Sequence, residues 1–220
     1  MGASELRGWT KPDVGVLFVV SGPSGVGKST LIKRALATLP GLEFSVSATT
    51  RASRRGEREG VDYYFLSPEE FEAKLARGEF LEHATVYDRS YGTLLAPTRA
   101  ALDEGRSLVL DIDVQGSRQV RATLPEAVHV MIVPPDLGAL EARLRERATD
   151  PPEVVTRRMS QVAEQVGAVG EFDYVVVNDV LSTAHRAFQG VLLAEMSRVA
   201  RRASVVDEVA RALQARDGAA

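Results

Sequence analysis

Residues 14–39 read VGVLFVVSGPSGVGKSTLIKRALATL. An apolar run from Val14 to Val20 gives way to serine and glycine, after which Leu31, Ala35, Leu36 and Leu39 return at helical spacing. The segment reads as a buried strand, a glycine loop and a helix. Within it Gly22-Pro23-Ser24-Gly25-Val26-Gly27-Lys28-Ser29 matches G-x-x-x-x-G-K-[ST] at every fixed position, a pattern with about 0.003 chance occurrences in a chain of this composition. Glycines let successive N–H groups converge on one polyphosphate, and the helix N-terminus adds its positive end. Lys28 is placed to reach the β- and γ-phosphates, the Ser29 hydroxyl to ligate Mg²⁺, and Thr30 to extend the cradle. A ligand-free turn between strand and helix has no need of lysine and serine at these two positions.

Further continuous apolar runs occur at Ser107–Ile112, Val128–Val133 and Tyr174–Val177, with helical patterns at 97–104, 117–124, 137–147 and 153–166. Strands alternating with helices imply an α/β fold with a central parallel sheet flanked by helices and ligands at the carboxyl ends of the strands. The stretch 45–93 breaks that rhythm with charge, turn residues, aromatics and one helical segment at 68–76, and reads as an inserted unit of short strands and one helix. Between residues 140 and 170, Pro151 and Pro152 separate two arginine-rich helical segments, a pattern suited to a movable helical hairpin. From Ser182 onward the pattern fits one long helix or two shorter ones.

Composition narrows the function classes. With 220 residues, 45% hydrophobic and 26% charged, the chain is globular and large enough for a substantial core. No cysteine is present, which excludes disulfides, thiolate zinc sites and a cysteine nucleophile and points to a cytoplasmic setting. The N-terminal stretch lacks a signal-peptide core, and no apolar run approaches the ~20 residues of a membrane span. A net charge of −3 argues against binding a nucleic acid polymer, so any anion must be met by local charge. Among the 27 cations only Lys11, Lys28, Lys33 and Lys74 are lysines. The three histidines have no metal-ligand spacing. A GTPase would normally read guanine with Asn-Lys-x-Asp, but the single asparagine, Asn178, is followed directly by Asp179.

Taken in order, SGPSGVGKSTL, FSVSATTRASRRGE, DYYF, EFLEHA, SYGT, LDIDVQG and VVVND resemble guanylate kinase from about Val16 to Asp179. The resemblance implies transfer of the γ-phosphoryl group of ATP to GMP or dGMP, with Mg²⁺. It also implies a core (12–46, 95–138, 171–216), a small α+β GMP-binding insertion (47–94) and a helical lid (139–170). In such a site a guanine ring needs a carboxylate beside hydroxyl donors. Glu82 is the matching carboxylate, and Ser47 and Thr93 the matching hydroxyls. The family match assigns the GMP phosphate to Arg51 and Arg54, whose planar forks suit a dianion, with Tyr63 and Tyr91 as neutral donors. Arg55 and Arg58, in a run of alternating sign, read instead as solvated.

Asp111 and Asp113 flank the end of an apolar strand on one face, where two carboxylates organise a hydrated metal and contact GMP; which does which is left open. Lid arginines come from Arg143, Arg147, Arg157 and Arg158, of which Arg147 and Arg158 are the preferred pair. The resemblance places Asn178 and Asp179 near adenine. The lid reads RERAT where the family commonly has Arg-Gly-Arg-Gly, Ser90 replaces a frequent aromatic, and Val180 a frequent acid. Two alternatives stand beside the kinase: a non-catalytic module on the same fold, against which Lys28 and Ser29 argue, and a P-loop kinase for another nucleoside monophosphate. A homo-oligomer is compatible with the sequence.

Overall fold

The computed structural model describes residues 9–86, 88–136, 138, 140, 162 and 165–217. Its centre is β1 (Leu17–Ser21), whose five residues are all buried. Phe18 and Val20 face one apolar cluster while Leu17 and Val19 face another, so the strand is covered on both sides and carries no polar alternation. Around it lie β2 (Leu42–Phe44), β7 (Ser107–Asp111), β8 (Val128–Val133) and β9 (Tyr174–Val177), in the order β2-β7-β1-β8-β9. Every pairing in this sheet is parallel. β1 lies where the chain turns from one side of the sheet to the other, the position at which parallel sheets open a crevice beyond their carboxyl ends.

Helices α1 (Lys28–Thr38) and α5 (Leu181–Met196) contribute Leu31, Ile32, Phe188 and Leu192 to one face. α3 (Leu95–Asp103) and α4 (Val114–Thr123) contribute Ala101, Leu102 and Val120 to the other. Two helices begin earlier than their apolar spacing suggests. α3 starts at Leu95 because Pro97 sits in its first turn, where a missing N–H costs nothing. α4 starts at Val114 because the Asp113 carboxylate accepts the Gly116 N–H at 2.9 Å, an N-cap that periodicity does not register. The carboxyl-terminal pattern resolves into two helices, α5 and α6 (Ala203–Asp217), the latter capped by Asp13, which accepts from Ser204.

A second sheet stands apart, ordered β4-β3-β6-β5, from β3 (Ala48–Thr49), β4 (Tyr64–Phe65), β5 (Phe80–Val86) and β6 (Arg89–Leu94). It packs on α2 (Pro68–Ala76), whose first turn has Pro68 and a reciprocal cap between Ser67 and Glu70. Its own small core joins Ala48, Phe71, Phe80 and Leu94, with the two phenylalanine rings 4.4 Å apart. The shortest strands, β2, β3 and β4, carry no apolar run of their own.

Candidate active site

The loop between β1 and α1 holds its shape through three glycines with positive φ: Gly22 at 147°, Gly25 at 82° and Gly27 at 98°. Two of them are also pressed against neighbours. A Cβ on Gly22 would overlap the Ile132 carbonyl, and one on Gly27 would overlap the Asn178 amide. Gly27 caps α1 with no side-chain hydrogen bond, and no acidic residue lies in the first turn, so the helix presents its amide end to an anion. Pro23, Ser24, Gly25, Lys28, Ser29 and Thr30 line a cavity of about 220 Å³ there. Val26 lies beneath the loop, fully buried, its carbonyl accepting from Asn178 Nδ2 at 2.7 Å. Asn178 therefore braces the loop from behind.

Lys28 folds back over the loop. Its Nζ donates to the Gly22 carbonyl at 2.6 Å and stands 4.0 Å from Asp111 at the end of β7. Burial pushes the Lys28 ammonium down, with Asp111 opposing, and pushes the Asp111 carboxyl up, with Lys28 opposing. Both charges are short of solvation, and an incoming polyphosphate with its metal would supply what they lack. Ser29 is exposed on the first turn of α1. No group of three or more metal-binding side chains occurs among the described residues. One hydroxyl and one carboxylate beside a phosphate cradle fit Mg²⁺, which is held largely by substrate phosphates and water.

The second sheet brings Glu82 and Thr93 together as register partners on β5 and β6. Thr93 Oγ1 donates to Glu82 Oε1 at 2.7 Å, and both residues are buried. Burial holds the Glu82 carboxyl above its ordinary range, the charge of Asp113 adds to that, and the Thr93 hydrogen bond opposes it. The start of α4 closes this corner: a Cβ on Gly116 would stand 3.3 Å from Glu82 Oε2. Ser47 directly precedes Ala48, whose partner is Gly92, so the antiparallel register sets Ser47 opposite Thr93.

Beyond it lies a cationic corner. Arg51 makes a two-pronged pair with Glu57, at 3.0 and 2.8 Å, donates to the Ala52 carbonyl at 2.8 Å and lies 5.3 Å over the Tyr63 ring. Tyr63 and Tyr91 meet edge to face at 6.4 Å. Glu57 raises Arg51 further, with Tyr91 adding a hydrogen bond. Arg54 is exposed, and its backbone N–H donates to Glu57 at 2.7 Å. The family resemblance points to Arg51, Tyr63 and Tyr91 but not to Glu57, which orients the first arginine and the turn carrying the second. Arg55 and Arg58 are exposed, Arg58 beside Asp62 at 3.7 Å. Arg143, Arg147, Arg157 and Arg158 lie outside the described residues, as does most of the lid segment. Asp179 follows Asn178 at the end of β9 and is exposed.

The family model for guanylate kinase matches residues 15–195. The chain belongs to the guanylate kinase family. It is 44% identical over 194 residues to a guanylate kinase of Symbiobacterium thermophilum, covering 88% of this chain and 92% of the relative. It is 46% identical over 179 residues to one from Synechococcus elongatus, covering 81% and 98%. The fold matches the crystal structure of guanylate kinase from Anaplasma phagocytophilum with a TM-score of 0.64 at 31% identity, over 90% of this chain and 94% of that one. A family member thus keeps an intact G-x-x-x-x-G-K-S loop together with the buried Glu82–Thr93 pair and the Arg51–Glu57 corner. A larger cleft of about 420 Å³, bounded by Phe44, Val61, Tyr64, Pro97 and Arg106, lies elsewhere, and no motif residue of the loop lines it. Among the described residues no helix is long and apolar enough to cross a membrane.

Proposed function

We propose that this guanylate kinase transfers the γ-phosphoryl group of ATP to GMP or dGMP with the residues assembled above, and that the buried Glu82–Thr93 pair carries the choice of acceptor. Guanine offers donors at N1–H and at its 2-amino group, which the Glu82 carboxylate accepts, and Ser47 donates to O6. Thr93 holds Oε1 and fixes the carboxylate plane. Adenine lacks those donors and would leave a buried carboxylate unpaired, which disfavours AMP by orders of magnitude.

The GMP phosphate is received by Arg51 and Arg54 with Tyr63 and Tyr91, Arg51 turning from Glu57 to the dianion while Glu57 keeps the loop in register. ATP lies with its phosphates on the Gly22–Thr30 loop, and Lys28 leaves the Gly22 carbonyl to pair with the β- and γ-phosphates. Ser29, and Asp111 through water, would hold Mg²⁺, which would neutralise charge on the phosphate oxygens. Asp113 faces the GMP side. The attacking phosphate oxygen is already ionised at neutral pH, so alignment and charge stabilisation carry the rate and no general base is required. Arg147 and Arg158 are the lid cations assigned to the transferred group, and Asn178 and Asp179 bound the adenine side. A cytoplasmic location fits the cysteine-free composition.

The test is ADP production measured with GMP, dGMP, AMP, CMP and UMP in turn, with and without Mg²⁺. Turnover restricted to the guanine nucleotides and dependent on Mg²⁺ is expected. Equal rates with AMP would remove Glu82 from base selection.

A further inference from the structure

One partly buried side chain closes the outer edge of the small sheet. β5 is the outermost strand there, and α4 packs beside it. Gln119 on α4 meets β5 at His83: its Nε2 donates to the His83 carbonyl at 3.1 Å, and its Oε1 accepts from the His83 N–H at 3.0 Å. A single amide thus takes the place of a neighbouring strand and satisfies both backbone groups of that residue.

The position of this contact matters. His83 follows Glu82 directly, and the pairing of β5 with β6 shifts register between Phe80 and Glu82. Such irregularities re-aim the side chain beside them, and the new direction has to be held by something outside the ladder. Gly116, three residues before Gln119 on the same helix face, lies against Glu82 Oε2. α4 therefore grips the strand at two points one turn apart, at the carboxylate and at the next peptide. Gln119 acts through the His83 backbone.

We propose that Gln119 is a positioning residue for base recognition: its two bonds to His83 set where the Glu82 carboxylate stands against α4. They thereby set how strictly the site separates a purine with a 2-amino group from one without it. The proposal rests on the reading of Glu82 as the guanine acceptor.

The experiment compares GMP and IMP as acceptors at saturating ATP, in the full chain and in Gln119→Met, which keeps the side-chain length and removes both hydrogen bonds. The KM for GMP is expected to rise about tenfold and the preference for GMP over IMP to fall by a similar factor, with kcat and the KM for ATP within about twofold. Gln119→Ala, a strong helix former, gives the same readout if the methionine variant does not fold. In Glu82→Gln the preference should collapse, and adding Gln119→Met to it should cost no further preference, because the two act in series. A preserved preference in Gln119→Met alongside a collapse in Glu82→Gln overturns the role of Gln119 and leaves the base reading standing. A preserved preference in Glu82→Gln overturns the base reading itself. Equal losses for both acceptors with a lowered melting temperature would show Gln119 to be structural only.

Discussion

Lys28 is held in a state that a nucleotide would change. It gives a 2.6 Å hydrogen bond to its own loop and has only a distant carboxylate, at 4.0 Å, for a counter-charge. Removing the ammonium leaves one partly buried loop bond unmade, a modest cost to the fold that loss of the desolvated charge offsets, and deprives the transferring phosphoryl group of a fixed cation. Lys28→Met is expected to lower kcat by about 10³-fold or more while the thermal midpoint stays within a few degrees, checked by coupled assay and circular dichroism. An unchanged kcat would take Lys28 out of the reaction. Glu82 makes a pH prediction. Burial raises its pKa, so it takes up a proton on acidification sooner than an ordinary glutamate. The protonated acid cannot accept both guanine donors, and the KM for GMP should climb as pH falls from 7 toward 5 while the KM for ATP does not follow it. A flat profile for GMP over that range would contradict a carboxylate acceptor. Glu82 and Lys28 were legible as residues because each sits in a distinctive motif. Their environments were not, since burial is decided by strands and helices far along the chain.

At the level of elements, legibility followed the length and continuity of apolar runs. β1, β7 and β8 are buried strands with such runs, and β9 has one too although, at the edge of the sheet, it exposes Val175 and Val177; β2 has three residues and exposes Phe44, and β3 and β4 have two residues each. Pairings held by loop chemistry were equally hidden. Arg51 and Glu57 are six residues apart across a turn, a spacing at which neither a helix nor a strand brings side chains into contact, and the alternating charges around them suggest only solvation. Asp113 shows the same limit from another side: read as a ligand, it is also the N-cap of α4. The two roles separate by substitution. Asp113→Ala should cost about 1 kcal/mol of stability through the lost cap. Asp113→Ser keeps a capping oxygen and should recover most of that stability while losing the charge. Chemical denaturation of the two variants beside the KM for GMP decides the matter: a serine variant that restores both stability and KM would make Asp113 a cap alone.

Across the whole molecule α4 is the joint, touching the small sheet through Gln119 and the core sheet through Ser117. Ser117 Oγ lies 2.7 Å from Nδ1 of His129, a fully buried residue on β8 whose Nε2 has no hydrogen-bond partner among the described residues. Burial pushes this imidazole down to about 4, Arg121 adds to the shift, and Asp173 opposes it. In the sequence His129 is one of three histidines without metal-ligand spacing; folding makes it a pH-sensitive component of the core. Above about pH 6.5 the ring is neutral in both folded and unfolded chains and has no effect on the balance. Between about 6.5 and 4 the unfolded chain binds a proton that the folded chain refuses, so stability falls as pH falls through that window. The loss is at most about 2 kcal/mol by pH 5, less where solvent reaches the ring. Glu82 works in the opposite direction, because its raised folded-state pKa favours the folded chain on acidification, and the comparison must therefore be made against a variant altered only at His129. In denaturant titrations at pH 7.5, 6 and 5, His129→Gln should lose stability less steeply than the parent chain, and parallel slopes would show that His129 does not titrate on unfolding.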